Sequence, residues 1–133
     1  MDKGETTGCI FLDLKKAFDA LNQKVLLRKL SYYGICGKEL TWFSGYLTNR
    51  EQITVVNGVC SDSRPVTVGV PQGSILGPLL FILFINDLPD SISKSKIVLY
   101  ADDTALMYSS KDTHEINRVL NEEVQSVSEW MHS

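Results

Sequence analysis

The chain has 133 residues, the length of one compact domain that can bury a substantial core. Its hydrophobic fraction of 44% and charged fraction of 22% exclude the disordered, collagen-like and low-complexity classes. Thirteen basic residues against 16 acidic ones give a formal net charge of -3, which argues against a protein that binds nucleic acid through its overall charge.

The first third of the chain predicts one strand followed by two helices. The apolar run Cys9–Leu14 is interrupted only by Asp13 and predicts a buried strand. Helical spacing of apolar residues begins at Leu21 and predicts a helix that ends at Gly34, because glycine commonly follows the last residue of a helix. A second, shorter helix is predicted over residues 38–47.

The middle of the chain predicts a hairpin and an apolar helix. Asn57-Gly58 favours a two-residue turn between strands over residues 52–56 and 64–68. Ser74 is predicted to cap a helix that continues to about Leu88, where Pro89 closes it. The apolar run over residues 75–85 is too short to cross a bilayer, so we expect a buried helix and no membrane association.

The last third predicts two strands and a long helix. The strands cover residues 96–100 and 104–108, and Asp112-x-x-Glu115 resembles a capping box at the start of a helix. An apolar stripe from Ile116 to Met131 has helical spacing. The whole order predicts an α+β fold with helices packed on one face of one antiparallel sheet.

The cysteines and the N-terminus point to a reducing compartment. Cys9, Cys36 and Cys60 are odd in number and far apart, which argues against a disulfide scaffold and a structural zinc site. Residues 1–7 are polar, so we expect no signal peptide in this segment. We therefore expect an intracellular protein, without distinguishing cytoplasm from nucleus.

Three carboxylates are the candidates for chemistry. Asp13 lies in an apolar strand, where burying an ionised carboxylate without a partner is costly. An aspartate at the end of a strand is, however, often only a turn former or a salt-bridge partner. Asp102 and Asp103 repel each other unless a cation lies between them, although a hairpin tip also explains them. If the second hairpin lies beside the first strand, the three carboxylates converge, and such oxygen donors suit two Mg²⁺ or Mn²⁺ ions.

Three segments occur in a recognisable order: Phe11-Leu-Asp-Leu-Lys-Lys-Ala-Phe-Asp19, Gly69-Val-Pro-Gln-Gly-Ser-Ile-Leu-Gly-Pro78 and Tyr100-Ala-Asp-Asp103. They closely resemble the central palm motifs of reverse transcriptases, above all those of non-long-terminal-repeat (LINE-type) retrotransposons. The resemblance covers about residues 8–131. It implies a polymerase palm, and an RNA-directed DNA polymerase that joins deoxynucleoside triphosphates to a DNA primer on an RNA template.

The resemblance also implies roles for individual positions. It makes Asp13, Asp102 and Asp103 the catalytic metal ligands. It implies nucleotide binding for four further residues: Leu14, Phe18, Gln72 and Gly73. Leu14 would act through its backbone carbonyl, and Gln72 and Gly73 through a loop that contacts nucleotide and template, unless that loop is only a turn before a helix. Phe18 would crowd a ribose 2′-hydroxyl, unless it is only a core aromatic residue.

The resemblance leads us to expect that residues 1–133 form the palm core of a reverse transcriptase domain, without fingers, thumb or endonuclease. Such a fragment is expected to bind nucleic acid weakly and to be inactive alone. The alternative is a non-catalytic remnant or co-opted palm that acts only as an interaction module.

Overall fold

The computed structural model describes residues 4–13, 17–71 and 73–132 and divides the chain into two compact units. One unit consists of residues 1–15 and 85–133, and the other of residues 16–84. Helices and antiparallel strands occur together, so the predicted α+β class is confirmed, while a palm-like arrangement stays a prediction. Within the described part of the chain, no helix is both long and apolar enough to cross a membrane.

The unit of residues 1–15 and 85–133 contains a three-stranded antiparallel sheet. Its strands, in the spatial order β1–β7–β6, are β1 (Thr6–Asp13), β6 (Lys96–Tyr100) and β7 (Asp103–Ser110). Both predicted strands of the second hairpin are therefore confirmed. The first strand begins three residues earlier than predicted and ends at Asp13.

A long helix, α5 (Thr113–His132), covers one face of this sheet. The Asp112 carboxylate accepts the backbone N–H of His114 at 2.8 Å, so Asp112 caps the helix as predicted. The reciprocal bond of the predicted capping box is not formed, because the Asp112 N–H donates to Ser110 Oγ and the Glu115 carboxylate accepts from Ser110 and Tyr108. Ile116 and Leu120 are buried and fill the space beside Gly8 of β1. The apolar stripe is therefore largely buried from Ile116 to Val127, whereas Met131 at its end is 48% exposed.

The opposite face of the sheet is exposed, which corrects the prediction of a buried first strand. Phe11 is 81% exposed and Tyr100 is 79% exposed. Successive side chains of a strand point to opposite faces, and among the described residues α5 covers only one of them. Asp13 is exposed as well, so no burial penalty applies to its carboxylate.

A buried carboxylate on α5 fixes the segment that leads into β6. Glu123 is 2% exposed, and its oxygens accept the backbone N–H groups of Ser93, Lys94 and Ser95, with the shortest distance, 2.6 Å, to Lys94. Three amide donors satisfy this carboxylate away from water. Near the end of α5, the indole N–H of Trp130 donates to Asp87 at 3.1 Å.

The unit of residues 16–84 begins with three helices: α1 (Ala17–Ala20), α2 (Gln23–Tyr32) and α3 (Gly37–Leu47). The predicted helix from Leu21 thus starts two residues later, because the Asn22 side chain caps its first N–H groups. Gly34 has φ +91° and follows the last turn, as predicted. The N–H groups of Gly34 and Ile35 donate to Ser31 and Leu30, which completes a Schellman cap.

The first hairpin is split into two short ladders. They are formed by β2 (Arg50–Gln52) with β5 (Arg64–Val66), and by β3 (Val55–Val56) with β4 (Val59–Cys60). The Asn57-Gly58 turn is confirmed, with positive φ at both residues. In the part of the chain that the structure describes, neither ladder is hydrogen-bonded to the three-stranded sheet, so the prediction of one common sheet is wrong. Local alternation predicts strands but not which strands pair.

The apolar helix α4 (Leu76–Ile85) is shorter and more exposed than predicted. It ends three residues before Leu88, where a 3₁₀ turn (Leu88–Ser91) with Pro89 in its first turn replaces it. Leu80 and Phe81 are buried, whereas Leu79 is 50% exposed and Ile82 is 56% exposed. The prediction of a buried helix is therefore correct for one face only.

Candidate functional site

Two of the three predicted carboxylates lie side by side on the exposed face of the sheet. Asp13 is the last residue of β1 and pairs directly with Asp103, the first residue of β7. Directly opposed residues of an antiparallel pair have Cβ atoms about 4.5–5.5 Å apart on one face. Tyr100 pairs with Asp103 from the other side. The paired strands therefore present a carboxylate, a second carboxylate and a phenol in one row.

The third carboxylate lies in the turn that joins β6 to β7. Ala101 and Asp102 form this two-residue turn, and Ala101 has φ +53°. Positive φ at the first central residue only is the pattern of a type II′ turn, in which glycine usually stands. A non-glycine residue held in such a sparsely populated region costs about 1–3 kcal/mol. The strained turn holds Asp102 next to Asp103 at the end of the ladder.

This arrangement favours a hard cation. The ion pairs among the described residues involve Glu122, and none involves Asp13, Asp102 or Asp103. Two exposed carboxylates opposite each other repel, and a divalent cation between them removes that repulsion. Carboxylate oxygens are the ligands that Mg²⁺ prefers.

The described side chains do not by themselves make a complete metal centre. No three His, Cys, Asp or Glu residues in the described ranges lie close enough together to hold a metal ion. The donor chemistry of Asp13 and Asp103 fits Mg²⁺, which commonly takes only one or two protein carboxylates and completes its shell with water or phosphate oxygens. Convergence of all three carboxylates stays a prediction, and Leu14 lies outside the described residues.

A second set of predicted residues lies in the unit of residues 16–84. The loop that begins at Gly69 is bound by three hydrogen bonds to the region from α1 to the start of α2. Gly69 N–H donates to Leu21 O at 2.7 Å, Val70 N–H donates to Phe18 O at 2.9 Å, and the Gln23 amide donates to Gly69 O at 2.9 Å. Because both backbone groups of Gly69 are used, the loop is held directly against Phe18.

Only glycine fits at position 69. Its φ is +78°, and an added Cβ would lie 2.7 Å from Asp19 O and 2.8 Å from Phe18 O. These atoms belong to the backbone and cannot rotate away as a flexible side chain can. Residue 69 therefore sets the distance between the loop and the segment that carries Phe18.

Phe18 and Gly73 line one groove of about 520 Å³, together with residues from the start of α4. The Phe18 ring is half-buried and packs on Phe81, with ring centroids 4.6 Å apart. Phe18 therefore contributes to the core and borders a concave surface at the same time. The structure brings together two of the predicted nucleotide-binding residues, while Gln72 lies outside the described residues.

Sequence reasoning missed Gln23. Its side chain is buried, 4% exposed, and it donates the amide bond that holds the Gly69 carbonyl. A signal was present, because Gln23 has the same helical phase as the buried Leu26 and Leu30. A polar residue at a core position of a helix indicates that its side chain has a buried partner.

Comparison with known proteins identifies the family. The family model described as reverse transcriptase (RNA-dependent DNA polymerase) matches residues 1–133. The chain is 34% identical to a probable RNA-directed DNA polymerase from transposon BS of Drosophila melanogaster, over 97% of this chain and 15% of that protein. It is 31% identical to the RNA-directed DNA polymerase from the mobile element jockey of the same species, over 98% of this chain and 15% of that protein.

A further relative also comes from a retrotransposable element. The Pol polyprotein from type-1 retrotransposable element R2 of Popillia japonica is 30% identical over 65% of this chain and 14% of that protein. The chain thus spans about 15% of the length of the curated relatives that it matches over almost its whole length. The chain belongs to the reverse transcriptase family, and its relatives are the polymerases of non-long-terminal-repeat retrotransposons.

Proposed function

We propose that this chain supplies the catalytic palm of an RNA-directed DNA polymerase of a LINE-type retrotransposon. The observation that carries the proposal is the pairing of Asp13 with Asp103 at the strand ends, next to Asp102 in a strained turn. Exposed carboxylates gathered in this way are poorly explained by stability, because they repel one another. They are well explained by a divalent cation and a polyphosphate substrate.

The proposed reaction is nucleotidyl transfer. The 3′-oxygen of a DNA primer attacks the α-phosphorus of a deoxynucleoside triphosphate and forms a new P–O bond. The bond between the α-phosphorus and the bridging oxygen breaks, pyrophosphate leaves, and the hydroxyl proton is lost to solvent. An RNA strand selects the nucleotide by base pairing, so RNA template, DNA primer and triphosphate are the proposed partners.

Asp13, Asp102 and Asp103 would hold Mg²⁺ or Mn²⁺ through their carboxylate oxygens, with the Leu14 carbonyl as a further donor. When bound, the cations would neutralise the charge on the phosphate oxygens and lower the pKa of the primer hydroxyl. The protein would contribute by holding the oxygen donors in fixed positions. The direct pairing of Asp13 and Asp103 does this without a long, flexible side chain.

Phe18 and Gly73 would contact the incoming nucleotide, with Gln72 in the same loop. The Phe18 ring is restrained because it packs on the Phe81 ring. The backbone of Phe18 is restrained as well, because its carbonyl oxygen accepts the Val70 N–H. A fixed aromatic ring beside the sugar would exclude a 2′-hydroxyl and so favour deoxyribonucleotides. The close contact between the Gly69 loop and Phe18 would then hold the ring in position beside the sugar.

The test is a chimera in which this chain replaces the matching segment of the transposon BS polymerase. We expect primer extension on RNA, and a loss of at least about 100-fold for Asp102→Asn, because an amide removes a charged ligand. Asp62→Asn is the matched control, since Asp62 is an exposed acid on the first hairpin. Equal extension by the Asp102 variant and the control would contradict the proposal.

A second measurement needs no catalysis. Mn²⁺ should bind the purified chain weakly and raise its thermal stability by ligand linkage. Asp13→Asn with Asp102→Asn should abolish that gain and stabilise the metal-free chain, because it removes repulsion. An unchanged Mn²⁺ titration in the double variant would refute a shared metal site and favour an interaction module without catalysis.

A further inference from the structure

Helix α2 presents three exposed side chains in a line. Lys24, Arg28 and Tyr32 are each four residues apart and therefore lie on one face of the helix, about 12 Å from end to end. All three are exposed, and Tyr32 is 90% exposed. We call these three residues the α2 strip.

The orientation of the α2 strip is fixed by the rest of its unit. The opposite face of α2 buries Gln23, Leu26 and Leu30, and both ends of the helix are capped. Lys29 turns away from the strip, because its Nζ donates to Phe84 O at 2.8 Å and lies over the Phe84 ring. The α2 strip therefore lies on the solvent-exposed face of the helix, opposite the face that packs on the core.

The α2 strip lies in a locally basic part of an acidic chain. Residues 20–38 contain four basic and no acidic residues, whereas the remainder contains nine basic and 16 acidic ones. Elsewhere, Lys94 and Arg118 share the carboxylate of Glu122. Among the described residues, neither Lys24 nor Arg28 forms an ion pair, so their charge is available to a polyanion.

Tyr32 adds a feature that charge alone does not supply. Its ring meets Tyr33 edge to face, with centroids 6.2 Å apart, and nine-tenths of the residue is exposed. With Tyr33, which is 38% exposed, Tyr32 forms an accessible aromatic surface that can contact a partner. Positive charge beside an accessible aromatic face is typical of surfaces that bind single-stranded nucleic acid, with phosphates at the cations and a base on the ring.

We propose that the α2 strip binds single-stranded RNA through phosphate contacts at Lys24 and Arg28 and base stacking on Tyr32. The choice of RNA rests on the proposed function, in which RNA is the strand that is copied. Duplex nucleic acid fits less well, because its bases are already stacked and cannot lie on an aromatic ring.

The first experiment measures the salt dependence of binding. The full chain is titrated with a fluorescent oligouridine of about 12 nucleotides, a length within the range that single-strand sites cover. Lys24→Gln with Arg28→Gln should lower the slope of log K against log salt by about 1.4, that is about 0.7 for each lost phosphate contact. Lys94→Gln with Arg118→Gln removes the same charge from residues that Glu122 already pairs, and should leave the slope unchanged. Equal slopes in the two double variants would overturn the proposal.

The second experiment tests stacking. Tyr32→Ala should weaken oligouridine binding about fivefold at unchanged salt slope, whereas Tyr32→Phe should keep the affinity. An equal loss in both variants, or no loss in either, would overturn the role of Tyr32.

No step in these measurements requires catalysis. An inactive chimera with the expected slopes would count against the proposed function alone, and an active chimera with unchanged slopes against the α2 strip alone.

Discussion

Substitution of Gly69 by alanine should destabilise the unit of residues 16–84 more than any ordinary surface change. The added methyl group would lie 2.7–2.9 Å from three backbone atoms of Phe18 and Asp19. The variant must also hold a non-glycine residue at φ +78°. Two separate penalties therefore act on one small side chain.

The magnitude follows from these two penalties. An L-residue in the left-handed region costs about 1–2 kcal/mol, and forcing a methyl group into a packed site costs about 1–3 kcal/mol. We expect Gly69→Ala to lower the free energy of unfolding by about 2–5 kcal/mol, against a total of about 5–15 kcal/mol for a domain. The melting temperature should fall by roughly 10 °C or more.

The matched control is Gly73→Ala. Gly73 has nearly the same φ, +77°, but an added Cβ would meet nothing within 4 Å. It should therefore show the backbone penalty alone, about 1–2 kcal/mol. Urea unfolding followed by circular dichroism gives both values, and their difference measures the clash with Phe18 and Asp19. If Gly69→Ala costs no more than Gly73→Ala, the close approach of the loop to Phe18 is refuted.

Four further substitutions test other parts of the structure. Glu123→Gln should lower the free energy of unfolding by about 1–3 kcal/mol, measured by urea unfolding, because a buried acceptor of three amides is impaired. Ala101→Gly should raise the melting temperature slightly, since relief of φ +53° exceeds the entropy cost of glycine. A hydrogen bond from Lys94, and to a smaller extent one from Arg118, holds the pKa of Glu122 below its ordinary value of 4.5. The small stabilisation from this exposed carboxylate is complete above that value and is lost as the pH falls through the lowered pKa, so Glu122→Gln should reduce the acid sensitivity of unfolding below about pH 4.5. In the chimera, Phe18→Ala should increase ribonucleotide incorporation relative to deoxyribonucleotide, and unchanged sugar selectivity in single-nucleotide assays would leave Phe18 a core residue only.

Elements with local determinants were predictable from the sequence. The end of α2 at Gly34 and the turn at Asn57-Gly58 depend on residues that adopt positive φ, and both were predicted correctly. The cap by Asp112 depends on one side chain and the first turn after it, and it was predicted correctly, whereas the reciprocal bond to Glu115 was not. In each case the physical cause lies within a few residues of the effect.

Features that depend on distant neighbours were not predictable in the same way. The apolar pattern around Phe11 indicated burial, but which face of a strand is covered depends on where α5 packs. The pairing of Asp13 with Asp103 depends on a strand order that joins residues 90 positions apart. The motifs suggested that these carboxylates meet, whereas the sequence contains no direct signal for the strand register.

The two tryptophans of the chain provide a separate optical reporter for each compact unit. Trp130 lies in the unit of residues 1–15 and 85–133, is partly buried, and donates its indole N–H to Asp87. Trp42 lies in the other unit, is 56% exposed, and stacks on Tyr46 with ring centroids 5.5 Å apart. Release of α5 from its sheet should therefore shift the emission of Trp130 to longer wavelength, while Trp42 already emits from a largely aqueous environment. With Trp42→Phe, the remaining fluorescence would report selectively on the unit that carries the three carboxylates.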